Sequence, residues 1–419
     1  MEQINTNTFC AAPWFMVRAN KDGKFKPCCD FKQNLSKFTG NKQSTGKNLS
    51  IEEWSNSKYM DYVRKNLSEG IKIPECSVCW KKEDAGLPSL RQTSNNIVTD
   101  GKNTELQNTW LNSFFKNKNI NNRRYMLLAA DIKISNKCNF ACVMCNPSDS
   151  SKLFSSWSKD YKNTFVKNYL KNDKNYFNNI LKIQTKKESY EILKQTLNHP
   201  IRLLKLLGGE PLLEKKMLET LRDLPDQKKK KISLSFCTNG SIDILSTIKK
   251  YKLNFKSLTF VISLEGVGEI QDWARKGSNW KQIEKNITLA KKEGILIDIQ
   301  NTLQASTILR ICNLYDWCIE QNIPLIFNML EQPTYLSINI LSDNLRNDLF
   351  NSLKKQQEKI KNRKVNLLKE SYPDNLHNYL QKHFSLINEE DTKKFYRFIE
   401  WYENNSKLKL KNIVPELYK

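Results

Sequence analysis

The chain has 419 residues, of which 39% are hydrophobic and 27% charged, with a formal net charge of +24. This length supports two or three domains with a sizeable core, and its many evenly spread aromatic residues exclude a disordered chain. No apolar run approaches 18 residues, which excludes a membrane-spanning helix.

The opening MEQINTNTFCAAPWF lacks a basic start followed by an apolar stretch, so no secretion signal is expected. Eleven cysteines without such a signal point to a reducing compartment, the cytoplasm. There, clustered cysteines hold metal more often than they form disulfides. The positive charge admits an acidic or nucleic-acid partner. Lysines and asparagines, however, occur throughout, and only KKKK at 228–231 is concentrated. The charge therefore reads as solvated faces and disfavours a nucleic-acid partner, with a phosphorylated substrate as the remaining functional reading.

Residues 1–90 read as a cysteine-bearing unit. Gly23 marks a hairpin turn between WFMVRAN and KFKPCCD. Such a hairpin would bring Cys10 and Cys28 together, and the later pair Cys76 and Cys79 could complete four ligands, which the spacing also permits for zinc. Residues 91–124 are polar and read as a linker around one short helix, TELQNTWLNSFF.

From 125 to 335 six short apolar runs alternate with helical stretches: MLLAADIKIS, IRLLKLLGG, ISLSFCTNG, LTFVISLEG, ILIDIQNTL and IPLIFNML. Such runs separated by amphipathic helices predict a parallel sheet with helical crossovers. Six units suit an α/β fold of the partial (β/α)6 TIM-like barrel type, since eight would close. Residues 146–195 interrupt the rhythm as a helical insertion. Residues 336–419 read as a helical C-terminal region, with DNLRNDLFNSLKKQQEKI and EEDTKKFYRFIEWYENN as its clearest helices.

KCNFACVMC follows the strand DIKIS and places Cys138, Cys142 and Cys145 at the C-terminal edge of the first barrel strand, where barrel enzymes keep their chemistry. Three thiolates on one loop can hold three irons of a [4Fe–4S] cube and leave the fourth open. Structural zinc wants four ligands, and no histidine lies near this loop.

The Cys138-NFA-Cys142-VM-Cys145 spacing after such a strand resembles the signature of the radical S-adenosylmethionine (SAM) superfamily. The resemblance spans about residues 125–330. It implies a SAM-binding [4Fe–4S] cluster whose open iron is chelated by the amino and carboxylate groups of SAM. It also implies reductive cleavage of SAM to a 5′-deoxyadenosyl radical that abstracts hydrogen from a substrate. An external electron donor such as flavodoxin or ferredoxin would supply the electron. Met144 stands where the superfamily often has an aromatic residue near the adenine.

Further stretches fit in order. Gly208, Gly209 and Glu210 resemble the edge that meets the SAM amino group. Thr238 and Asn239 end the third strand. Ser263, Glu265 and Arg275 resemble an S-x-D-G turn with a downstream arginine, and Asn301 lies near the end of the fifth strand.

The N-terminal pattern is similar to the first part of a SPASM/twitch module, moved ahead of the barrel. The similarity implies an auxiliary [4Fe–4S] cluster on Cys10, Cys28, Cys76 and Cys79, with Cys29 as the substitute for Cys28. The expected function is radical chemistry on a peptide or on a small, phosphorylated or nucleotide-linked metabolite. The alternative class is a non-catalytic, zinc-stabilised nucleic-acid-binding protein. Cys237, beside the Thr-Asn-Gly turn, reads as a small buried hydrophobe, with hydrogen donation to a substrate radical as its functional alternative.

Overall fold

The computed structural model describes residues 7–32, 49–99, 125–160, 188–361, 371–404 and 406–419, with positions 46, 163, 166, 365 and 367 between them. The helix expected at TELQNTWLNSFF and the middle of the 146–195 insertion lie outside the described residues. Among the described residues no helix is long and apolar enough to cross a membrane.

The six apolar runs form six parallel strands: β3 (Ala129–Lys133), β5 (Leu203–Leu207), β6 (Ser233–Thr238), β7 (Ser257–Ser263), β9 (Leu296–Leu303) and β10 (Leu325–Met329). Each is followed by a helix, from Glu188–Asn198 after β3 to Asp343–Ile360 after β10. One face of the sheet is apolar and fully covered: Leu204, Leu206, Phe236, Phe260, Ile262 and Ile299 are all buried. Phe236 stacks on Phe260 across β6 and β7, with centroids 5.4 Å apart. Burying each such side chain stabilises by about 1.5–3 kcal/mol, so this face fixes the register. The other face carries charged and hydroxylated residues.

The N-terminal unit is not set apart from this sheet. β1 (Met16–Ala19) pairs in parallel with β3, and β2 (Phe25–Lys26) closes the hairpin, so the full order is β10-β9-β7-β6-β5-β3-β1-β2. Gly23 takes φ 74°, as the tight turn requires. The hairpin strands are shorter than expected. Pro13 opens a one-turn helix, Ala12–Phe15, that takes Trp14 and Phe15 out of the first strand. Pro27 lacks the N–H that would extend β2. One hydrophobic core runs from Phe25, Trp54 and Tyr59 through Ile132 and Leu206 to Phe395. The start of the segment read as a linker is the helix Leu90–Thr99, whose Val98 joins Trp14 and Phe15 in a second cluster.

The hairpin turn also reaches the cysteine loop. Lys21, nearly buried, pairs with Asp149 at 2.9 Å, and Lys133 pairs with the same oxygen at 2.7 Å. Burial pushes the Asp149 carboxyl up, but Lys133 and Lys21 outweigh it and hold it at about 2. A depressed carboxyl contributes stability above its unfolded pKa and loses it as pH falls through the folded one. Acid titration should therefore show this contribution fading between about pH 4 and pH 2. Asp149→Asn should lack that component and be less stable at pH 7. Equal acid profiles for the two proteins would contradict the pairing.

Candidate active site

The loop after β3 is clipped in place by a second, two-stranded sheet. β4 (Ala141–Cys142) pairs antiparallel with β8 (Arg275–Lys276), setting Cys142 opposite Arg275. The Val143 N–H donates to the Ala274 carbonyl at 2.8 Å. Ser151 Oγ accepts from the Cys138 N–H at 3.1 Å, and the Phe140 N–H donates to Cys138 Sγ at 3.5 Å. The loop then enters the helix Ser151–Lys159, capped by Ser150, whose Oγ accepts from the Leu153 N–H.

All three thiols are pushed up by burial. Cys142 stands at about 11, where the Arg275 guanidinium pulls against burial. Arg275 Nη1 lies 3.7 Å from Cys142 Sγ, and its Nη2 is 2.6 Å from Glu265 Oε1. Ionising three such thiols needs a compensating cation, and a cube of iron and sulfide supplies one. The donor set fits that group: three thiols on one loop, each affected by the charge of a neighbour. Among the described residues, no three Cys, His, Asp or Glu side chains converge on one ion-sized position. A cube ligated through separate irons needs no such convergence.

The glycine pair sits against this loop. A Cβ on Gly209 would stand 2.5 Å from the Lys137 carbonyl oxygen, and one on Gly208 3.0 Å from that of Ser135. The Gly209 N–H donates to Ser135 O at 2.9 Å and the Glu210 N–H to Lys137 O at 2.7 Å. On the Cβ side, both glycines meet the chain's own backbone. Glu210 is fully buried; its Oε1 accepts from Thr238 Oγ1 at 2.7 Å and from the Leu212 N–H at 3.0 Å, and its Oε2 from the Asn239 N–H at 2.7 Å. Burial nevertheless raises its carboxyl to about 7. Asn239 donates in turn to Asn139 Oδ1 at 2.9 Å, tying the Thr-Asn-Gly turn to the cysteine loop. Glu265 Oε2 accepts from the Thr302 N–H at 3.1 Å, and Asn301 donates to the Leu264 carbonyl at 2.9 Å. Thus Glu210, Glu265 and Asn301 all engage neighbouring strand ends. Met144 packs partly buried at the edge of the core.

One contributor was not foreseen. The Tyr402 hydroxyl, at the end of helix Glu389–Tyr402, donates to the Ala141 carbonyl at 2.9 Å and accepts from the Lys276 N–H at 3.3 Å. It pins both strands of the clip beside Cys142. Only a helical period is visible around this residue in the sequence, and its partners lie more than a hundred positions away.

At the N-terminus, Cys10, Cys28 and Cys79 are buried and Cys76 is half-buried. Burial pushes all four thiols up, Cys10 to about 12. The charge of Cys10 is felt by Cys28 and Cys76, and that of Cys79 by Cys10 and Cys76. Cys29 is exposed, and its thiol donates to Asp30 Oδ1 at 3.6 Å. Arg91, from the segment read as a linker, brings a cation to this group and is held by Glu83 through two bonds of 2.9 and 2.7 Å.

Residues 132–303 match the family model of the Radical SAM superfamily, which supports that superfamily for the sheet and the cysteine loop. The chain is 26% identical over 206 residues to a probable GTP 3′,8-cyclase of Methanococcus aeolicus, covering 48% of this chain and 58% of the cyclase. It therefore spans less than two thirds of that relative. Among solved structures, it is similar to anSMEcpe with bound AdoMet: 20% identity, TM-score 0.39, 57% of this chain and 64% of that one. It is also similar to Streptococcus suis SuiB bound to precursor peptide SuiA: 18% identity, TM-score 0.36, 58% of this chain and 48% of that one.

Gly209→Ala should force the 136–137 backbone away from the edge of β5. The expected result is a loss of about 2 kcal/mol or more in denaturant unfolding. Full stability of that variant would contradict the close approach. Tyr402→Phe should cost about 1–3 kcal/mol by leaving the buried Ala141 carbonyl without its donor, measured the same way.

Proposed function

We propose that the chain is a radical SAM enzyme that acts on a peptide or small polar substrate, with an auxiliary [4Fe–4S] cluster assisting. The observation that carries this reading is the meeting of three thiols, Cys142 buried and Cys138 and Cys145 half-buried, with Arg275 and the Gly208–Gly209 edge, inside the segment matched by the family model. Cys138, Cys142 and Cys145 would hold the SAM-binding cluster. When bound, that cluster supplies the electron that cleaves SAM.

The chain's own residues do the rest. The Gly208–Glu210 edge and the Thr238–Asn239 turn form the rim beside the loop. Arg275 places a fixed cation beside Cys142 and favours its thiolate. Tyr402 and the β4–β8 clip hold the loop rigid. Ser263, Asn301 and Met144 lie at the same strand ends or on the loop itself, and the proposal keeps them near SAM.

Cys10, Cys28, Cys76 and Cys79 would hold the auxiliary cluster. Cys28 is buried like Cys10 and Cys79, whereas Cys29 is exposed, which supports the choice of Cys28. An external electron donor and a reducing compartment complete the proposal.

Anaerobic reconstitution should give about eight irons per chain, about four in the Cys138→Ala, Cys142→Ala, Cys145→Ala triple variant, and 5′-deoxyadenosine only with the loop thiols intact. A wild-type value near four would remove the auxiliary cluster. Formation of 5′-deoxyadenosine by the triple variant would remove the radical SAM reading.

A further inference from the structure

The polar face of the sheet, opposite the helices, holds groups that neither cluster uses. One in-register row runs Arg18, Asp131, Lys205, Ser235, Thr259 from β1 to β7. The next row includes Cys237, Val261 and Asp298, from β6 to β9. Parallel sheets are normally covered by apolar layers on both faces. A half-buried face built of charges and hydroxyls is the exception, and presents polar groups to a ligand.

The charges on this face are unequally satisfied. Asp131, 6% exposed, has Arg18 at 3.7 Å. Lys205 and Asp298 are both half-buried, and among the described residues neither has an opposite charge within 4.0 Å. Asp298 feels Lys205 at longer range. Burial raises the Asp298 carboxyl and Lys205 pulls it back. Burial lowers the Lys205 ammonium, but Cys237 and Asp131 outweigh it. Two half-buried charges of opposite sign on one face, neither closed into an ion pair among the described residues, offer a ligand one cationic and one anionic contact.

We propose that Lys205 and Asp298 are the two poles of a substrate site on this face, Lys205 taking an acidic group and Asp298 a basic one on the same zwitterionic chain. Three strand spacings separate β5 from β9, about 14 Å along the sheet. The two side chains reaching over the face shorten the gap to the length of about three extended residues at 3.3–3.6 Å each. A short peptide segment with an acidic and a basic side chain about three positions apart meets that requirement. A polyphosphate does not: with Arg18 and Asp131 paired to each other, Lys205 alone is left to attract it and Asp298 would repel it. The proposal rests on the radical SAM reading for placing a substrate over this sheet, and it adds the charge pattern that the substrate must carry.

The test is selection of a random peptide display library on immobilised, reconstituted protein, with GTP as a competitor. Wild type should enrich peptides with opposite charges about three positions apart, and GTP should not displace them. Lys205→Met should lose the acidic preference about tenfold and Asp298→Asn the basic one, each leaving the other in place. Lys205→Arg should keep both. Iron content equal to wild type shows that each variant is folded. The proposal is overturned if no paired-charge pattern emerges, if the pattern survives both neutral variants, or if GTP displaces the peptides. The same preparations are assayed for 5′-deoxyadenosine without peptide. If wild type makes none, the radical SAM reading falls while the enrichment still judges the site. If wild type makes it and the pattern is missing, only the site proposal falls.

Discussion

Three thiols within eight residues, one buried and two half-buried, cannot all ionise unless something offsets their charge. Burial pushes each one up, and each new thiolate would repel the next. The surroundings of the loop are organised around that constraint. Arg275 stands 3.7 Å from Cys142, and its own charge is balanced by the buried Glu265. Near Cys145, Lys21 and Lys133 share Asp149. The protein thus brings partial compensation, and the remainder belongs to whatever cation the thiols bind.

Rigidity follows from the same need. A ligand held by one short loop is only as well placed as the loop's backbone. Here that backbone is held on three sides: by the two glycines at the end of β5, by the clip with β8, and by Tyr402. Glu210 links the second and third strand ends through three hydrogen bonds from a buried position. The N-terminal hairpin lengthens the sheet and brings Lys21 to the loop, so the unit carrying the other cysteines is mechanically joined to the first.

Much of this arrangement was legible in the sequence. The six strands fall on the six apolar runs, because the face packed against the helices must be apolar along its length. The helix Asp343–Ile360 coincides with the stretch chosen for it, since its period and its Ser342 cap are local signals. The cysteine spacing, likewise, is written in eight consecutive positions. What was not legible depends on distant pairing. β1 joins β3 across more than a hundred residues, and no local pattern announces a parallel partner. Tyr402 and Arg91 act through contacts whose other halves lie in remote segments. The expectation for Gly208 and Gly209 is an edge that meets the SAM amino group. Their Cβ side is filled by residues 135–137, which a strand-end motif alone does not reveal.

The central claim is that the loop seats a cluster with one iron open to SAM. It is tested most directly by electron paramagnetic resonance of the reduced, reconstituted Cys10→Ala, Cys28→Ala, Cys76→Ala, Cys79→Ala protein, in which only the loop can hold iron. The account predicts a [4Fe–4S] signal that changes shape when SAM is added. A signal indifferent to SAM, or no iron bound at all, would contradict it.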